Sequence, residues 1–139
     1  MRKIYLTHCT GIKDDSYEFS DTLLYPPQLY RASPTQRFIA CCKKKEVPWA
    51  ILSDQYGIWF PGIKRKWYDK HPDTVTEAQF AQLLSDFDKN LKDFSEIWFY
   101  NNPSWFHPLY QRIISQSTLN SRINTFSHLK EISNDTGRI

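Results

Sequence analysis

Residues 49–57 read WAILSDQYG. Trp49, Ala50, Ile51 and Leu52 form an unbroken apolar run, and Ser53, Asp54, Gln55, Tyr56 and Gly57 follow at once. A short run that is apolar on both faces is the pattern of a central strand in a parallel sheet, covered by helices above and below. Its sudden end in a hydroxyl, a carboxylate, a phenol and a glycine marks where that strand leaves the core. In open α/β sheets ligands bind beyond the carboxyl ends of the strands. The plainer reading is that Ser53 and Asp54 only cap the strand and begin a turn.

Working outward from this strand, the same alternation continues in both directions. Upstream, Ser33 is a natural N-cap and Pro34 an allowed first helical residue. Phe38, Cys41 and Cys42 follow at helical spacing, Lys43, Lys44 and Lys45 suit a helix C-terminus, and Pro48 stops the helix. Before it, residues 12–28 are polar, end in Pro26-Pro27 and read as loop. Earlier still, Ile4-Tyr5-Leu6-Thr7 reads as a strand that runs into Cys9-Thr10-Gly11. Downstream, residues 58–74 read as a long loop with Pro61, Gly62 and Pro72. Phe80, Leu83, Leu84, Phe87 and Leu91 then keep a clear helical period. Glu96 to Tyr100 is a third strand, broken by Asn101-Asn102-Pro103. A third helix is expected from Trp105 to about Ser117, and residues 122–132 add a last strand or a short helix. The order predicts an α/β fold, a small three-layer sandwich with a mostly parallel sheet flanked by helices. One domain is expected over residues 1–133, with a loose tail at 134–139.

The 139 residues suffice for one core, and 40% hydrophobic and 16% aromatic content exclude a disordered chain. No apolar run reaches the ~18 residues of a membrane span. MRKIYLTHCTG has too short an apolar stretch for a signal peptide, so no membrane partner is expected and the protein reads as cytoplasmic. The three cysteines, Cys9, Cys41 and Cys42, do not make a disulfide framework. No CxxC or HxxxH spacing suggests zinc, and nothing specifies a cofactor. His8 and Cys9 are neighbours near a strand end and are expected to point opposite ways. Charge is uneven: residues 31–70 hold nine bases and three acids, whereas 71–99 hold six acids and two bases. That asymmetry suits an anion or nucleic-acid partner, or ordinary solvated helix faces.

Three strand ends therefore collect the candidate chemistry: His8 to Lys13, Ser53 to Gly57, and Asn101-Asn102. The stretches LTHCTGIK, LYRAS, WAILSDQYG and WYD occur in this order. Together they resemble a bacterial and phage family of domains of unknown function. That family carries a Cys-x-x-x-Lys turn, a Leu-Tyr-x-x-Ser helix start, an Ile-Leu-Ser-x-x-Tyr-Gly strand exit and a later Tyr-Asp. It is similar in turn to the YaaA peroxide-stress proteins and, more faintly, to the lysine-transferring domain of archaeosine synthase. The resemblance covers roughly residues 4–102. It implies an α/β fold with a cleft at the strand ends and a link to nucleic acid or its modification. The matching positions are Cys9, Lys13, Tyr30, Ser33, Ser53, Tyr56, Gly57, Tyr68 and Asp69. Two departures stand out: Thr10-Gly11-Ile12 replace the lysines that usually follow the cysteine, and Trp67 replaces the Pro before the last Tyr.

Each role has a plain counterpart. Cys9, at a glycine turn near Lys13, suits a lowered pKa and a nucleophile, or is a small buried thiol. Lys13 binds a phosphate or carboxylate, or is a surface lysine. Ser33 sits where anions bind, or is simply an N-cap. Tyr56 stacks on a base, or packs in the core. Gly57 allows a turn with positive φ. Asp69 is a general base or binds a sugar hydroxyl, or pairs with nearby lysines. With Cys9, Lys13, Ser53 and Asp69 as catalytic candidates, Tyr30, Ser33, Tyr56, Gly57, Tyr68 and Asn101 are expected to bind substrate. Lys64-Arg65-Lys66-Trp67-Tyr68 alternates cations with rings and is the nucleic-acid candidate, or an exposed connection with one buried Trp. Three functions compete: a small enzyme acting on a nucleotide, base or nucleic acid; a non-catalytic nucleic-acid-binding module; and a protein-interaction domain.

Overall fold

Strands β1 (Lys3–His8) and β2 (Trp49–Ser53) pair in parallel, with Tyr5 opposite Trp49 and His8 opposite Leu52, in the computed structural model, which describes residues 2–101 and 106–134. β2 turns into a short antiparallel strand β3 (Gly57–Trp59), while β4 (Glu96–Tyr100) and β5 (Ile123–Phe126) continue the parallel ladder on the other side of β1. The sheet order is β3-β2-β1-β4-β5. The chain thus builds outward from β1 on one side, then crosses back to build on the other, which is how an open α/β sheet makes a crevice at its strand ends. All five residues of β2 are buried, as its apolar run requires.

Among the described residues four α-helices flank the sheet: α1 (Pro26–Leu29), α2 (Ser33–Lys45), α3 (Glu77–Leu91) and α4 (Pro108–Gln116). Phe38 of α2 stacks on Tyr100 at 6.1 Å between ring centroids, whereas Phe106, just before α4, meets Phe99 edge-on at 5.4 Å. Tyr100 and Phe99 are successive strand residues and face opposite ways. So α2 lies on one face and α4 on the other, where Arg112 forks onto Glu77 of α3 with two bonds of 2.7 Å. This is the expected three-layer α/β sandwich. The start of α3 is fixed by reciprocal bonds between Thr76 and Gln79, a capping box. Among the described residues no helix is long and apolar enough to cross a membrane.

Several boundaries differ from the sequence expectation. The long loop at 58–74 begins with β3, because Gly57 (φ 74°) reverses the chain so that Ile58 and Trp59 pair back onto β2. The loop at 12–28 ends in α1, whose prolines sit at allowed first-turn positions. Ser33 is the first helical residue, with Ala32 as the N-cap. α4 starts at Pro108 and is capped by the His107 side chain, which accepts from the Leu109 N–H at 3.0 Å. Trp105, expected to open that helix, lies outside the described residues, as do Asn102, Pro103 and residues 135–139 of the expected tail.

Candidate functional site

The carboxyl ends of β1 and β2 are locked together. The Cys9 N–H donates to the Leu52 carbonyl at 2.9 Å, extending the ladder one residue past β1. The Asp54 N–H then donates to Cys9 Sγ at 3.3 Å, and the Cys9 thiol donates back to Asp54 Oδ1 at 3.4 Å. Tyr110 of α4 approaches the same sulfur, with its hydroxyl 3.1 Å away. With the thiol proton committed to Asp54, the Tyr110 O–H is the donor to sulfur. Ser53 donates to the Tyr68 hydroxyl at 3.2 Å, and Tyr68 shares a 2.5 Å bond with Tyr30. The Ser53 hydroxyl also accepts from the N–H groups of Gln55 and Tyr56, at 3.1 and 3.0 Å, which shapes the turn into Gly57.

Two cavities flank this cluster. The inner one, about 180 Å³, is lined by Cys9, Thr10 and Asp54 together with Tyr68 and Tyr110. His8, Gly11, Lys70, His71 and Pro72 complete its lining. His8 stacks on Tyr110 at 4.9 Å and 14°. The Thr10 hydroxyl is buried and has no hydrogen-bond partner among the described residues. The outer cavity, about 330 Å³, is lined by Asp54, Gln55 and Tyr56 from the β2–β3 turn and by Gln79, Gln82 and Asp86 from α3. Lys70 belongs to both cavities, as does Asp54.

Burial dominates the electrostatics. Asp54 is 4% exposed, and burial raises its carboxyl above the ordinary 3.8, against the opposing pull of the Cys9 bond and the Lys13 charge. The Cys9 thiol is pushed up to about 12, by burial first and the Asp54 charge second, with the Tyr110 bond acting the other way. The lowered thiol pKa expected at this glycine turn is therefore corrected: at neutral pH Cys9 is a thiol and a hydrogen-bonding group, not a thiolate. Burial likewise drives the phenols of Tyr30, Tyr68 and Tyr110 upward, so they are fixed O–H donors.

The structure brings together most of the residues singled out from sequence. Cys9, Ser53, Tyr30 and Tyr68 form the bonded cluster just described. Lys13 lies over the Tyr68 ring, with Nζ 4.5 Å from its centroid. Tyr56 and Gly57 line the outer cavity. Three candidates fall elsewhere. Ser33 is exposed on the first turn of α2, and the Asp69 side chain is exposed and lines neither cavity. Asn101 ties the ends of β4 and β5, donating its N–H to the Phe126 carbonyl at 2.9 Å and accepting from Ser127 at 2.8 Å. The basic loop is engaged with its own surroundings. Lys64 lies over Tyr25, Arg65 over Tyr56, and Lys66 pairs with Asp21 at 2.9 Å.

Sequence reasoning placed His8 and Asp54 in the candidate strand ends without giving them a role, and it missed Tyr110, Lys70 and His71. By sequence Tyr110 is one position of the third helix's apolar stripe, Phe106, Leu109, Tyr110, Ile113 and Ile114, and the one hydroxyl in it. The expectation that His8 and Cys9 point apart is also corrected, since both line the inner cavity. Strict alternation ends with β1 at His8, and Cys9 lies beyond it. Among the described residues no group of three or more His, Cys, Asp and Glu is placed to hold a metal ion. Comparison with family models, with curated proteins and with solved structures gave no match.

Proposed function

We propose that this protein is a YaaA-like domain that binds, and uses Asp54 as a proton-carrying group upon, a nucleobase-containing small molecule at the carboxyl ends of β1 and β2. The observation that carries this reading is the convergence of Cys9, Asp54, Tyr68 and Tyr110 on one cavity at that edge. Aromatic walls flank a buried carboxyl there, which suits a planar heterocycle with donor and acceptor atoms on its rim. A carboxyl raised toward neutrality is also suited to give or take a proton.

Seven of the nine positions on which the YaaA resemblance rests support the same site, Ser33 and Asp69 being the exceptions. Cys9, Lys13, Tyr30, Ser53, Tyr56, Gly57 and Tyr68 are one connected group, although they come from four separate stretches of chain. A pocket is favoured over an extended nucleic-acid surface because Lys64, Arg65 and Lys66 are already paired with their own ring or carboxylate neighbours. Among the described residues all three cysteines are free, which fits the cytoplasmic setting we infer.

The test is a thermal-shift screen with free bases, nucleosides, nucleotides and short DNA and RNA, on the natural protein and on Asp54→Ala. A single small ligand should stabilise the natural protein saturably, by about 2.7 kcal/mol at a hundredfold excess over Kd, and not the variant. Stabilisation by oligonucleotides alone, fading with salt and indifferent to Asp54→Ala, would overturn the pocket reading.

A further inference from the structure

The outer cavity is chemically unlike the inner one. Its lining carries three carboxamides, Gln55, Gln79 and Gln82, two carboxylates, Asp54 and Asp86, and one ammonium, Lys70. We infer that this outer cavity is a subsite for the hydroxyl groups of a ribose, so that the preferred ligand is a ribonucleoside. The inference rests on the proposed base site in the inner cavity, with which it shares Asp54 and Lys70.

Three observations carry it. The first is size: the inner cavity, at about 180 Å³, falls below the ~300–1,000 Å³ usual for small-molecule sites, whereas the outer, at about 330 Å³, reaches that range. The two cavities adjoin at Asp54 and Lys70, which line both, so the outer one is the neighbouring space for the rest of a ligand whose base sits in the inner one.

The second is preorganisation. Asp86 Oδ2 accepts from the Ile58 N–H at 2.8 Å and Oδ1 accepts from the Asn90 side chain at 2.9 Å. Each oxygen keeps a lone pair on a carboxylate that cannot swing away. Lys70 donates to the Thr74 carbonyl at 3.3 Å and to Gln79 Oε1 at 2.9 Å, which leaves its third hydrogen and the Gln79 NH₂ as donors. Gln55 and Gln82 make no side-chain hydrogen bond among the described residues and offer both a donor and an acceptor.

The third is charge. Hydroxyls both donate and accept, and so match a mixed lining of amides and carboxylates. A phosphate only accepts, and here the Asp86 carboxylate offsets the one ammonium, Lys70, with the Asp54 carboxyl beside them. The outer cavity therefore favours the uncharged sugar over a phosphorylated one.

The experiment is calorimetric titration of the full chain with matched sets of free base, ribonucleoside, 2′,3′-dideoxynucleoside and 5′-monophosphate. It is repeated on Gln82→Leu and Gln55→Leu, both exposed positions, with melting temperature as the check on folding. The ribonucleoside should bind about tenfold tighter than its base and its dideoxy form, as one or two hydroxyl hydrogen bonds supply. Either substitution should erase most of that gain and leave the affinity for the free base unchanged. Equal affinity for base and ribonucleoside, or a monophosphate that binds tighter than its nucleoside, would overturn the sugar subsite while leaving the base site standing. No binding by any member of the set would overturn both.

Discussion

Cys9 and Asp54 grip each other in both directions. The backbone N–H of Asp54 donates to the cysteine sulfur at 3.3 Å, and the thiol returns its proton to Asp54 Oδ1 at 3.4 Å. The pair joins the ends of two neighbouring parallel strands and leaves a buried carboxyl beside a cavity. Burial raises the proton affinity of both; the Asp54 charge adds to the rise at Cys9, and the Cys9 bond opposes it at Asp54.

Asp54→Asn should stabilise the protein at neutral pH. The native carboxyl is raised above 3.8, by burial first, so the folded state keeps its proton at pH values where the unfolded state has lost it. Stability therefore falls as pH rises through that window. The amide removes this loss and keeps an acceptor for the thiol. Melting curves of both proteins from pH 3 to 8 should diverge as pH rises, with the variant on top. A variant less stable at pH 7 would mean that Lys13 and the thiol bond outweigh burial.

Cys9 should resist alkylation. With its thiol pushed up to about 12, almost no thiolate exists at pH 8. Cys41 is only partly buried and should react first with iodoacetamide, while Cys9 should react only after unfolding. The same shift makes stability fall between the ordinary 9.0 and about 12, since the unfolded thiol ionises first. Rapid modification of Cys9 in the native state, read by peptide mass mapping, would contradict this burial.

Gly57→Ala should cost about 1–3 kcal/mol. Its φ of 74° disfavours any L side chain, and the added Cβ would lie 2.3 Å from Asp86 Oδ2. That oxygen cannot retreat without releasing the Ile58 N–H. Urea unfolding should show a lower midpoint with the same slope. Ligand binding at the outer cavity should weaken with it.

Asp73→Ala should loosen one segment without unfolding the protein. His107 Nδ1 accepts from Leu109, so its proton sits on Nε2 and donates to Asp73 at 2.6 Å. This bond pins the stretch that brings Tyr68, Lys70 and His71 to the inner cavity. The His107 bond also holds the exposed Asp73 carboxyl below its usual range, so its contribution is lost as pH falls through that lowered value. Global stability should fall only slightly, because the carboxylate is exposed. Amide exchange across residues 63–76 should speed up while β1 and β2 stay protected.

How much of this was written in the local sequence differs from residue to residue. WAILS had to be a buried strand, because a run apolar on both faces has nowhere else to go. Phe80, Leu83, Phe87 and Leu91 had to share a helix face, because their spacing is a property of the chain alone, and all four are buried. The carboxyl edge followed from the order of those elements, and with it the placing of Cys9 and Ser53. β3 was hidden because three residues are too short to show a period, and only the turn at Gly57 folds them back onto β2.

The choice of carboxylate belongs to the tertiary structure. By sequence Asp69 was the favoured carboxylate, as part of the resembled Tyr-Asp motif, and Asp54 was only the residue that follows Ser53. Asp54 is buried because its own N–H is drawn to the sulfur of a strand 45 residues away, and Asp69 stays in solvent beyond the loop that delivers Tyr68. Tyr110 joins the site because α4 packs across the sheet and sets its hydroxyl on Cys9, 101 residues distant. Periodicity fixes which face of an element is apolar. Which polar groups at the ends of those elements meet, and whether water is excluded from them, is decided only when the elements pack.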